Sequence, residues 1–178
     1  MNRTRRLSLA TLIAGLALLV TSSCAGASAR FANGQFSDDV VRYHVGAPGA
    51  AWKQVSLAQA NVAWLNDALD AGLLVNSHCT GVGDSPLVSL SNDLLMGTTE
   101  REIIEQVTVP WSGREAMETH ATAKLDGVVR AYQLFVGKKD GCVYDVVLSA
   151  PLGHVDDAVA AYHTVRDGFD VQARKAHP

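Results

Sequence analysis

The stretch "METHATAKLDGVVRAYQLFVGKKDGCVYDVVLSA", residues 117–150, carries the clearest structural signal in the chain. Met117, Thr119, Ala121, Ala123 and Leu125 alternate with Glu118, His120, Thr122 and Lys124. That is the period of two expected of a strand with one buried face, and the second set reads as solvated surface. Asp126-Gly127 then leads into "VVRAYQLFVG", and Asp140-Gly141 into "CVYDVVLSA". Asp-Gly is the dipeptide that tight hairpin turns favour, because both central residues need positive φ. Three antiparallel strands are therefore expected.

Upstream, "VVRYHV" (40–45), "WKQVSL" (52–57), "NVAWLND" (61–67) and "GLLVNSHC" (72–79) are short β-branched or aromatic runs punctuated by "GAPGA" and "ALDAG", the pattern of a strand meander. The period then changes. Ser85-Pro86 offers an N-cap and a first helical position, with Leu87, Leu90, Leu94 and Leu95 on one face before Gly97. Thr99-Glu100-Arg101-Glu102 reads as a capping box opening a second short helix with Ile103, Ile104 and Val107. A last helix from His154 to about Phe169 puts Val155, Ala158, Val159, Tyr162 and Phe169 on one side, with Asp156 and Asp157 in its first turn. The fold class expected is α+β, an antiparallel sheet packed by helices.

The N-terminus carries a different message. Arg3, Arg5 and Arg6 precede an uncharged apolar run, Leu7 to Val20, followed by Thr21-Ser22-Ser23 and Cys24. This is a secretory signal layout, and the run is shorter than the roughly 20 residues a spanning helix needs. The segment ending in Ser22-Ser23-Cys24 resembles the lipobox of bacterial lipoproteins, with Thr21 where Leu is usual. The resemblance implies cleavage of residues 1–23 and lipidation of Cys24. Several acyl chains on one residue exceed the two-signal threshold for stable membrane attachment. "AGASARFANGQ", residues 25–35, is small and polar and reads as a flexible tether, so a single domain is expected over 36–178. The address expected is the cell membrane or outer membrane, lipid-anchored and facing the periplasm.

Three of the 15 basic residues and none of the 18 acidic ones precede Cys24, which leaves a mature chain of 155 residues with 12 against 18, a net charge of −6. Its basic runs are no longer than two residues, as at Lys138-Lys139, so nucleic acid is not an expected partner. Cys79 and Cys142 are an even pair in an oxidising compartment. Cys79 shares strand parity with Leu73 and Val75, and Cys142 with Tyr144, Val146 and Leu148, so both thiols face the core and a disulfide is expected.

The order and size of the elements, with the opening Tyr43-x-Val45-x-x-Pro48-Gly49-x-x-Trp52, resemble the PsbP-like domains over residues 36–170. These are small non-enzymatic accessory domains of photosystem II and their bacterial relatives. The resemblance implies helices packed against a sheet and an accessory or assembly role, and carries over no photosystem-specific residue.

Motifs with a catalytic mechanism fail at named positions. Gly81-Val82-Gly83 lacks the third glycine of a phosphate loop, and Asp84 would repel a phosphate. Ser85 has Leu87 where a nucleophile elbow needs Gly, and no H-E-x-x-H occurs. His78 and the pair Glu118/His120 lack a third ligand at fixed spacing, so no metal is expected. His44, His154, His163 and His177 are scattered singly. No cofactor is expected either. The function expected is a non-enzymatic binding or accessory module of the cell envelope, held by its lipid and engaging an envelope protein. The alternative is a carrier for an apolar ligand in a pocket between sheet and helices. An exposed apolar patch would favour the first, an apolar-lined pocket the second, and a cleft of coupled ionisable groups an enzyme.

Overall fold

A computed structural model describes residues 29–81 and 83–172. Cys24, the signal segment 1–23 and the first part of the tether lie outside the described residues. The expected hairpins form the middle of the molecule. β8 (Arg114–Leu125), β9 (Val128–Lys139) and β10 (Cys142–Ala150) pair in antiparallel register, with Asp126-Gly127 and Asp140-Gly141 as the turns. Asp126 and Gly127 have φ of 50° and 83°, and Asp140 and Gly141 of 52° and 76°, the all-positive backbone that the right-handed strand twist selects.

Around this meander the large sheet grows to seven strands in the order β4-β5-β6-β10-β9-β8-β7, all antiparallel neighbours. β4 (Lys53–Val55), β5 (Val62–Asn66) and β6 (Ala71–His78) are the expected upstream runs. A second sheet, in the order β1-β2-β3-β11, joins β1 (Arg30–Ala32), β2 (Gln35–Ser37), β3 (Arg42–His44) and β11 (Asp170–Val171).

Two expectations are overturned. The capping-box segment is β7 (Thr99–Trp111), a strand paired along β8, and not a helix. Glu100 has φ of 49°, incompatible with a first helical turn, and Val107, Thr108 and Val109 make a β-branched run that fits a pleated surface. A ready edge on β8 outweighs the local cap signal. The helix before it, α1 (Leu87–Asp93), forms as expected but is shorter, with Pro86 at the N-cap position and no side-chain capping bond, and it gives way to turns before Gly97. The second correction concerns the domain start at Phe36. Residues 30–37 form a hairpin around Asn33-Gly34, with φ of 52° and 73°, so the end of the proposed tether belongs to the folded body.

The sheet has a core on each face. On one, α2 (Val155–Asp167) and the small sheet bury Tyr43, Phe36, Trp111, Phe135, Tyr144, Tyr162 and Phe169 against β6, β9 and β10. All of these rings except Tyr162 form one connected set, with Tyr43 5.1 Å and Trp111 5.3 Å from Phe169 by ring centroids. On the other, Leu95 behind α1 packs on Ala121, Ala123, Tyr132 and Leu134, and Ser91 shares a buried hydrogen bond of 2.7 Å with Thr119. Of the β8 set that alternation marks as buried, Met117, Thr119, Ala121 and Ala123 are buried and Leu125 at the turn is exposed.

Candidate functional site

Two surfaces combine chemistry with access. The first is a notch where β5 begins and β6 runs on past it, paired there with β10. Asn61, just ahead of β5, replaces the missing ladder. Its backbone N–H donates to the Val75 carbonyl and to Asn76 Oδ1, at 3.1 and 3.0 Å. Its own Oδ1 accepts from the Ser77 backbone N–H at 2.6 Å, the Ser77 hydroxyl at 2.7 Å and the Tyr43 hydroxyl at 3.2 Å. Burial pushes the Tyr43 phenol well above its ordinary range, which keeps it a donor.

Asn76 Nδ2 donates to Asp145 Oδ1 at 3.3 Å across the β6–β10 pair. Asp145 is only 7% exposed, and among the described residues no basic side chain stands within ion-pair distance of it. Desolvation pushes its carboxyl up to about 6, opposed by the Asn76 hydrogen bond and by the nearby His78. Asn61, Asn76, Ser77, His78 and Asp145 line a cleft of about 360 Å³ with Gln59 at its mouth.

The second surface is the outer edge of β7, which among the described residues pairs with β8 alone. Ile103, Ile104 and Val107 are exposed at 42%, 54% and 41%. Glu100, Glu102 and Glu105 are exposed along the same strand. Arg101, its one basic residue, donates to the Thr98 carbonyl at 3.2 Å. At the far end the strand opens on a hollow of about 480 Å³ lined by Val109, Trp111, Phe135, Arg166 and Phe169. The Trp111 ring lies on the backbone of Gly137, where an added Cβ would sit 2.5 Å from it, and its Nε1 donates to the Phe169 carbonyl at 2.8 Å.

The residues singled out by sequence fall as follows. Cys79 and Cys142 are bonded, with Cα atoms 4.1 Å apart, at the continuation of the β6–β10 register where strand parity put them. Glu118 is not solvated surface. It is half-buried beneath α2, where it pairs with Arg166 and accepts from the Tyr162 hydroxyl at 3.5 Å. His120, likewise half-buried, faces Glu105 and Gln133 across the strands. His78 lies in the notch, and Lys138 donates to the carbonyls of Gly83 and Ser85, fastening the loop before α1. Among the described residues no group of three His, Cys, Asp or Glu could hold a metal ion, and no helix is long and apolar enough to cross a membrane. Asp145 was not singled out, although a lone acidic residue inside the apolar run "VYDVV" was the available signal.

No family model and no curated protein matches the chain. Among solved structures, the cyanobacterial PsbP (CyanoP) of Synechocystis is similar with a TM-score of 0.54 and 15% identity, over 85% of this chain and 96% of that one. LpqN, described as involved in cell envelope biogenesis of Mycobacterium tuberculosis, is similar with a TM-score of 0.53 and 10% identity, over 74% of this chain and 83% of that one. At these identities the likeness is one of fold, and the α+β arrangement of two antiparallel sheets and two helices is that of the PsbP-like cyanobacterial protein.

Proposed function

We propose that the chain is a non-enzymatic accessory module of the cell envelope, anchored by lipid at Cys24, that binds a partner protein by strand addition at β7. The observation that carries this reading is the open edge: thirteen residues long, with Ile103, Ile104 and Val107 exposed and only β8 beside it. Main-chain hydrogen bonds from an exposed edge give such complexes their affinity, and pockets for alternate side chains give specificity. The hollow beside Trp111 supplies such a pocket. The glutamates along the strand favour a partner segment with basic residues. The lipobox-like signal, the accessory role implied by the PsbP-like resemblance, and the cell-envelope role of LpqN support the setting.

The test uses the full chain in membranes. A photocrosslinking residue at Val107 should give one discrete adduct, absent when the same residue stands at Gln54 on the opposite edge. Cys24→Ser should move the protein from the detergent phase to the soluble fraction and abolish labelled-palmitate incorporation. Equal crosslinking from both edges, or none from Val107, would overturn the docking reading. Unchanged partition of Cys24→Ser would overturn the anchor.

A further inference from the structure

We propose that the notch beside β6 is a binding site for a small ligand bearing a primary ammonium group, with Asp145 as its anionic contact. The inference is independent of the β7 reading and starts from an inventory of hydrogen-bonding capacity. Asn61 Oδ1 already accepts three bonds. Asn76 spends its oxygen on the Asn61 N–H and its amide on Asp145. The Ser77 hydroxyl donates to Asn61. Among the acceptors of the notch, the Asp145 carboxylate keeps the most spare capacity. It receives a single side-chain hydrogen bond, where an ionised carboxyl accommodates about four.

A buried carboxylate without a cation is costly, and an apolar residue in the same strand position would carry no such cost. Here the carboxylate does not end in packed core. It lines the 360 Å³ cleft, within the size range of sites for small metabolites. The rest of the notch is locked by the Asn61 network, so the site is preorganised and what it lacks is a positively charged donor. An ammonium group supplies three donors and the missing charge, and charge-assisted bonds are roughly twice as strong as neutral ones. Asn76 and Gln59, which also line the cleft, offer neutral polar contacts to the remainder of the ligand.

The experiment is a titration of the purified full chain at pH 7, followed by calorimetry and by the amide resonances of Asn76, Ser77 and His78. Putrescine presents the ammonium on an alkyl chain, glucosamine on a sugar, and glucose is the uncharged control. Saturable binding of either amine, with shifts confined to the notch, and at least tenfold weaker binding to Asp145→Asn with an otherwise unchanged spectrum, is the expected result. The affinity of the unaltered chain should also fall about tenfold between pH 7 and pH 5 as the carboxyl takes up its proton. Tyr43 from β3 and His78 from β6 are the other titratable groups facing it, and His78→Gln should keep that pH dependence. Binding of glucose as tight as that of glucosamine, equal binding to Asp145→Asn, or no saturation by either amine up to about 10 mM, tenfold above a dissociation constant of about 1 mM, would overturn the proposal.

Discussion

At the scale of single residues, Asp145 and Glu118 show how differently a buried and a half-buried carboxylate behave. Asp145 is desolvated without a cation, and its carboxyl is held at about 6 against an ordinary 3.8. Between those values the folded state binds more protons than the unfolded one, so stability falls as pH rises from about 4 to about 6. Ionised Asp145 therefore costs the fold on the order of 2 to 3 kcal/mol at neutral pH. Urea denaturation should find Asp145→Asn more stable than the original at pH 7 and the two alike at pH 4. Glu118 is the opposite case, since Arg166 and Tyr162 meet it from α2. Glu118→Ala would leave the Arg166 cation half-buried with Asp167 as its remaining partner. The expected cost is about 1 to 2 kcal/mol, read as a lower denaturation midpoint with an unchanged slope.

At the scale of elements, the disulfide ties the end of β6 to the start of β10 across a separation of 63 residues. A loop of that length contributes about 4 kcal/mol in the chain-entropy model. The double replacement Cys79→Ala/Cys142→Ala should lower stability by up to that amount, and the original chain under reducing conditions should follow it. Mass measurement without reduction should find neither thiol alkylatable.

This bridge was legible because strand parity fixes which side chains share a face. The β8–β10 meander was legible because alternation and Asp-Gly turns agree with each other. What parity does not reveal is what lies over a face. Glu118 and His120 share the polar side of β8, yet both are half-buried, and Tyr162 and Arg166 of α2 reach over to Glu118. β7 was misread because Ile103, Ile104 and Val107 suit a helical stripe as well as a strand with irregular register, and its register does shift twice, between Thr99 and Glu102 and between Ile103 and Glu105. The Asn33-Gly34 hairpin carried a strong local signal but sat in a stretch whose small polar composition argued for a tether.

At the scale of the whole molecule, the two edges of the large sheet are unequal. β4 is three residues long and carries Lys53 in an exposed pair with Asp67, so it offers little to a passing strand. β7 is long, but its two register shifts and Pro110 leave the stretch from Glu105 to Val109 as the run fit to pair. A sheet with two usable edges polymerises, because every copy added presents a fresh edge to the next. A sheet with one usable edge terminates what it begins: it takes a single guest strand, or meets a second β7 and closes into a pair with nothing left to extend. The geometry of one strand thus sets a stoichiometry, one guest or one twin for each sheet.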